Sequence, residues 1–259
     1  MLKRILLVLA LLVVAGVAVY RIRNPEHLDL DDKARQQAPG LFVRLADGWT
    51  HYEVRGPDSG QRVVLVHGFS VPSYIWDSTF IALTAAGFRV ARYDEFGRGF
   101  SDRPDVDYTV DLLDRQLVQL LDSLGWKDSV DVVGLSWGGT VVGAFTGRHP
   151  ERVRSMTMID PAAGQIRPLP TQFRLPIVGG LLWQTLAVPG MAAGQSTDFV
   201  EPSKWPDWAD RYRVQMQYRG FGRALLSTSM DRGGLLLDTL YARVGAIGTR
   251  SMLIWGTED

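Results

Sequence analysis

Hydrophobic and polar positions alternate in blocks along this chain, and the blocks change period. Leu41–Leu45 and Trp49–Arg55 flank Asp47-Gly48, a tight-turn dipeptide, which predicts a β-hairpin. Val63–Val66 is short, wholly apolar and β-branched, as expected of a strand covered on both faces. A helix is predicted from Ser73, with Trp76, Phe80 and Leu83 on one stripe and Gly87 ending it. Phe88–Tyr93 reads as the next strand. Val110, Leu113, Leu117, Leu120, Leu121 and Leu124 then keep helical spacing up to Gly125. Val130–Val133, Trp137–Arg148 and Ser155–Ile159 continue as strand, helix, strand. Such alternation after an opening hairpin predicts a mostly parallel α/β sheet with right-handed crossovers.

From Pro161 to about Gly248 the pattern loosens into Pro-, Gly- and Trp-rich segments, including an amphipathic stretch around Tyr212–Leu226. Ser251–Trp255 then resumes as an expected buried strand. An irregular helical insertion between two strands reads as a cap over the strand ends, where open α/β sheets bind ligands. The domain reading is therefore a segment 1–23, a linker 24–40, a core 41–160, a cap 161–248 and a resumed core 249–259.

Ile5 to Tyr20 carries no charge and is flanked by Lys3 and Arg4 before it and Arg21 and Arg23 after it. As a helix these positions span about 24 Å, and the basic flanks can snorkel to headgroups on either side of a bilayer. The expectation is a single-pass anchor through residues 5–20 with an exported domain. A secreted form cleaved at Gly16-Val17-Ala18 is the alternative. Residues 24–40 are polar and aperiodic, and read as a tether.

The 28 Lys and Arg balance the 28 Asp and Glu, so no net field draws the chain to nucleic acid. Cysteine is absent, which excludes disulfides, thiolate metal sites and a thiol nucleophile.

Gly134-Leu135-Ser136-Trp137-Gly138 lies directly after a predicted strand and directly before a predicted helix. A serine on so sharp a turn takes strained backbone angles, and its neighbours two residues away must be nearly free of side chain, hence Gly134 and Gly138. The following amides then sit at a helix N-terminus, where negative charge is favoured. Val66-His67-Gly68-Phe69 ends an earlier strand, so the amides of Phe69 and Trp137 could together hold an oxyanion. His67 is expected to bond its own loop, and the charges of the segment Asp94–Pro104 are expected to be structural.

In these motifs the chain from about Leu41 to Asp259 resembles α/β-hydrolases of the serine esterase/lipase type. The matching elements are the His-Gly loop, the Asp94-x-x-Gly97-x-Gly99-x-Ser101 loop, the elbow, His149-Pro150-Glu151-Arg152-Val153, and Ile159-Asp160-Pro161. The resemblance implies a nucleophile, an acid and a histidine, with no metal or organic cofactor. Ser136 takes the first role. Ile254-Trp255-Gly256-Thr257-Glu258-Asp259 resembles the segment carrying the acid, which puts that role on Asp259, with Asp160 as the fallback. The implied substrate is a small ester-like molecule, and the cap's Trp, Phe, Leu and Met residues suggest that part of it is apolar.

The histidine is the difficulty. His149 is thirteen residues down the helix from Ser136, about 20 Å away. His27 belongs to the tether, His51 is expected to face solvent, and His67 shapes a loop. The expectation is a sequence truncated before its histidine, and inactive by itself. Carbon–carbon bond hydrolysis, N-terminal proline cleavage and perhydrolysis are alternatives on the same scaffold, and a noncatalytic membrane-anchored binding protein is another. A haloalkane dehalogenase is disfavoured, because its nucleophile would be Asp where Ser136 stands.

Overall fold

The computed structural model describes residues 1–162, 168–232 and 237–257. Two helices open the chain, α1 (Leu2–Arg23) and α2 (Asp32–Gln37). The core follows as β1 (Leu41–Arg44), β2 (Trp49–Arg55), β3 (Arg62–Val66), α3 (Asp77–Ala85), β4 (Arg89–Tyr93), α4 (Val110–Ser123), β5 (Val130–Leu135), α5 (Trp137–Arg148) and β6 (Val153–Ile159). The cap contains α6 (Val178–Leu182), α7 (Met191–Gly194), α8 (Trp208–Met216), α9 (Phe221–Arg232) and α10 (Leu237–Ile247), and β7 (Arg250–Ile254) returns to the sheet.

The strand order is β1-β2-β4-β3-β5-β6-β7. The β1/β2 and β2/β4 pairs are antiparallel and the remaining pairs parallel. The expected hairpin and α/β alternation are thus present, within a residue or two at each boundary except the start of the first crossover helix, where Ser73–Trp76 forms a 3-10 turn leading into α3. Each apolar stripe is buried as its period demands. Leu113, Leu117, Leu120 and Leu121 of α4 pack with Val141, Val142 and Phe145 of α5 on one sheet face, while Trp76 and Phe80 cover the other.

The amphipathic stretch around Tyr212–Leu226 is two helices parted at Gly220, whose φ of 91° suits glycine and breaks helical geometry. Two expectations need correction. The β7 strand is exposed along its whole length, because among the described residues it pairs with β6 alone.

The second concerns residues 24–40, which are docked. Arg23 Nε donates to the Thr185 carbonyl at 2.7 Å. The Glu26 carboxylate accepts from the Gly220 and Gly222 amides and from Gln184 Nε2, so an acid stands at the N-terminal end of α9, where the helix dipole favours it. The His27 and Leu28 amides donate to the Gln217 carbonyl, and Arg219 N donates to Leu28 O. Further along, Arg35 of α2 pairs with Asp102 at 2.6 Å. Composition suggested a tether because every one of these partners lies far away in sequence.

Candidate active site

The turn from β5 into α5 is built from backbone-to-backbone contact. A Cβ at Gly134 would stand 2.3 Å from the Gly138 carbonyl oxygen, and one at Gly138 would stand 2.4 Å from the carbonyl oxygens of both Val66 and His67. The two glycines let the ends of β3 and β5 and the start of α5 converge. Between them Ser136 is held at φ 51°, ψ −115°, outside the regions ordinary side chains occupy. Its amide donates to Ile159 O at 2.9 Å and its carbonyl accepts from Gly139 N at 2.9 Å.

Ser136 opens into a cavity of about 920 Å³. Gly68 and Phe69 line it from the loop after β3, Asp160 from the end of β6, and Thr197–Val200 with Trp208 from the cap. Gly68 is so close that a Cβ there would touch Ser136 Cβ at 3.5 Å. Trp137 is the first residue of α5, with its side chain fully buried in the core. Asp160 also has a positive φ, 42°, and its Oδ1 accepts from Gly256 N at 2.8 Å, holding the segment after β7 to the end of β6. Asp259, the expected acid, lies outside the described residues.

The four histidines are engaged away from this cavity. His67 donates from Nδ1 to Gly68 O at 2.8 Å and accepts from Glu95 N at Nε2, 2.9 Å. Burial pulls its pKa down to about 4 against the attraction of Asp94. His67 therefore shapes its own loop, as expected. His51 was expected to face solvent and is instead buried against Asp94, 2.8 Å away, with Nε2 on the Pro39 carbonyl. Strand alternation misleads here because the loop after β4 and the docked N-terminal segment both close over the His51 ring. His149 lies against Asp114 beside α4, and His27 bonds the Pro25 carbonyl.

Two residues brace the loop facing Ser136: Arg98, within the segment whose charges were expected to be structural, and Gln215, which escaped the sequence reading. Arg98 is fully buried. It donates to the carbonyls of Phe69 and Phe96 and to the Thr228 hydroxyl of α9. Gln215 of α8 accepts from Gly99 N and donates to Ser70 O, both within 3 Å. Core loop and cap together thus clamp the loop that faces Ser136. The pairing of a D-x-x-G-x-G-x-S loop with a cap glutamine has no local sequence signal.

Glu95 is also fully buried, and neither carboxylate oxygen has a hydrogen-bond partner among the described residues. Burial raises its pKa to about 8, opposed by Arg98 and reinforced by Asp94. Unfolded chain ionises this group near 4.5, so folding retains a proton that water would remove, at a cost growing between pH 4.5 and 8. Glu95→Gln is expected to gain about 1–3 kcal/mol at pH 8 and almost nothing at pH 4. Urea titrations at the two pH values check this, and equal gains at both would contradict it.

Comparison with known proteins accords with the geometry. The family model described as alpha/beta hydrolase fold matches residues 61–259. This chain belongs to the α/β-hydrolase fold family. Among curated relatives, the bifunctional epoxide hydrolase 2 of Rattus norvegicus is 31% identical over 187 residues, covering 70% of this chain and 32% of that protein. A putative non-heme chloroperoxidase of Synechocystis is 34% identical over 112 residues, 43% of this chain and 40% of its own length. The match thus spans about a third of the rat relative and two fifths of the cyanobacterial one. Among solved structures, the enol-lactonase of Burkholderia xenovorans superposes with a TM-score of 0.66 at 18% identity, covering 84% of this chain and 91% of that one. The Burkholderia structure shares the arrangement of strands and helices that in this chain places Ser136 at the C-terminal end of β5.

Proposed function

We propose that Ser136 is the nucleophile of a serine hydrolase that cleaves an ester bond. The observation that carries this reading is the strained serine at the head of α5, opening into a large cavity beside the Gly68-Phe69 loop. The Ser136 hydroxyl attacks the carbonyl carbon, and the carbonyl oxygen becomes an oxyanion that the amides of Phe69 and Trp137 stabilise. A general base takes the serine proton and returns it to the departing alcohol. Water then attacks the acyl-enzyme and frees the acid and Ser136. The reading gives Asp259 the task of orienting the base, with Asp160 in the same cavity as the alternative.

None of the four histidines stands in the Ser136 cavity to act as that base. His67, the nearest in sequence to the cavity loop, has both ring nitrogens bonded and a depressed pKa. Ester chemistry fits a serine better than epoxide opening, the activity named for the rat relative. Serine attack on an epoxide carbon would leave an ether, which water does not hydrolyse, whereas an acyl-serine turns over. The lactone named for the Burkholderia structure is itself an ester. Phe199, Val200 and Trp208 on the cavity wall favour an apolar acyl or alcohol part.

The test is exposure of the folded chain to a fluorophosphonate, with and without added imidazole as an external base, followed by peptide mapping. The expected adduct is on Ser136, formed faster with imidazole. An adduct confined to another residue, or none in either condition, would overturn the assignment.

A further inference from the structure

The apolar helix α1 and the cap are joined without a spacer. The α1 helix is 22 residues long, spans about 33 Å, has a mean hydropathy of 2.7 and is wholly unburied over its most apolar window. Its last residue, Arg23, bonds Thr185 O, and the next, Asn24, accepts from Gln184 Nε2. Glu26 then clasps Gly220 and Gly222. A bilayer containing α1 would therefore end where the segment 183–187 begins, with no slack to lift the cap away.

That part of the cap is apolar on its outside. Leu175, Ile177, Val178, Leu181 and Leu186 are all exposed, within twelve residues around the docking point of Arg23. Ile177 is 87% exposed at φ 61°, a backbone region that β-branched residues avoid. The local backbone thus holds a large apolar side chain in water, where it gains nothing. Arg21 and Arg174 flank these segments and suit headgroup phosphates.

We propose that this outer face of the cap rests in the headgroup layer of the lipid bilayer that α1 enters. The proposal depends on α1 being a membrane helix and adds that the cap is an interfacial surface rather than a freely tethered domain. Contact with a second copy or another protein is the competing explanation for the apolar face, but only lipid follows from the spacer-free junction. The cavity of Ser136 would then lie under a roof whose outer side faces lipid.

The absence of cysteine makes the test direct. Leu7→Cys, Ile177→Cys, Leu181→Cys and Asp128→Cys, each in the full chain, would carry an environment-sensitive fluorophore in phosphatidylcholine–phosphatidylglycerol vesicles. Asp128 precedes β5 and so marks the end of the sheet opposite the cap. Nitroxide-labelled lipids are expected to quench the labels at 7, 177 and 181 several-fold more than the label at 128, and iodide to quench them less. Quenching by lipid at 7 alone would overturn the proposal while leaving α1 in the membrane. Shielding of 177 and 181 from iodide without lipid quenching would assign the face to protein contact and also overturn it. If lipid fails to quench at 7, the membrane reading of α1 falls and the proposal with it.

Discussion

Gly138→Ala is expected to cost about 3 kcal/mol or more and to abolish reaction of Ser136 with a fluorophosphonate. The added methyl would stand 2.4 Å from two carbonyl oxygens, those of Val66 and His67. Both belong to backbone at the end of a central strand, which has no rotamer to yield, so α5 or β3 must move. Either movement separates the Gly68-Phe69 loop from Ser136. A Gly180→Ala variant supplies the comparison, because a Cβ there meets nothing within 4 Å. Thermal and urea unfolding read the stability, and labelling reads the site. A Gly138→Ala protein as stable and reactive as the Gly180→Ala control would show that the elbow tolerates side chains and that its geometry is different from the one described.

Asp94→Ala is the second large effect, expected to destabilise by about 3–5 kcal/mol near pH 6. Asp94 is almost fully buried and accepts from His51 Nδ1, Ser73 N and Phe100 N, so alanine leaves three donors without their acceptor. Burial works against its ionisation, yet the charge and hydrogen bond of His51 overcome this and hold the carboxyl well below its usual range. Burial likewise opposes the charge on His51, and Asp94 overcomes it, raising the imidazole above 6.5. The two shifts set a window. The Asp94 contribution is complete above about pH 4 and fades as pH falls towards its depressed pKa. The His51 contribution is complete below 6.5 and fades as pH rises through its elevated pKa. The difference between wild type and Asp94→Ala should therefore be widest between about pH 4 and 6.5 and shrink on both sides. Chemical denaturation across that range measures it, and a pH-independent difference would mean the pair is not ionic.

The elbow was readable because backbone crowding permits only glycine at positions 134 and 138, and that constraint is written in five consecutive residues. The alternation of β3, β4, β5 and β6 with helices was readable for a similar reason, since period and burial are local properties of each segment. The cap was recognised as an insertion, but its subdivision at Gly220 was not, because an amphipathic stripe continues across the break. His51 was misplaced because alternation along β2 distinguishes two faces and says nothing of what covers them.

Local order along the chain was sufficient for the sheet, the serine turn and the apolar first helix, because each depends on sterics or periodicity among near neighbours. Folding decided the partnerships: His51 with Asp94, Glu26 with the start of α9, Arg98 and Gln215 with the loop facing Ser136. A charge or amide acquires its role from whichever group comes within hydrogen-bond reach. In this protein those groups lie from 29 to 196 positions apart, too far for any pattern in neighbouring residues to register them.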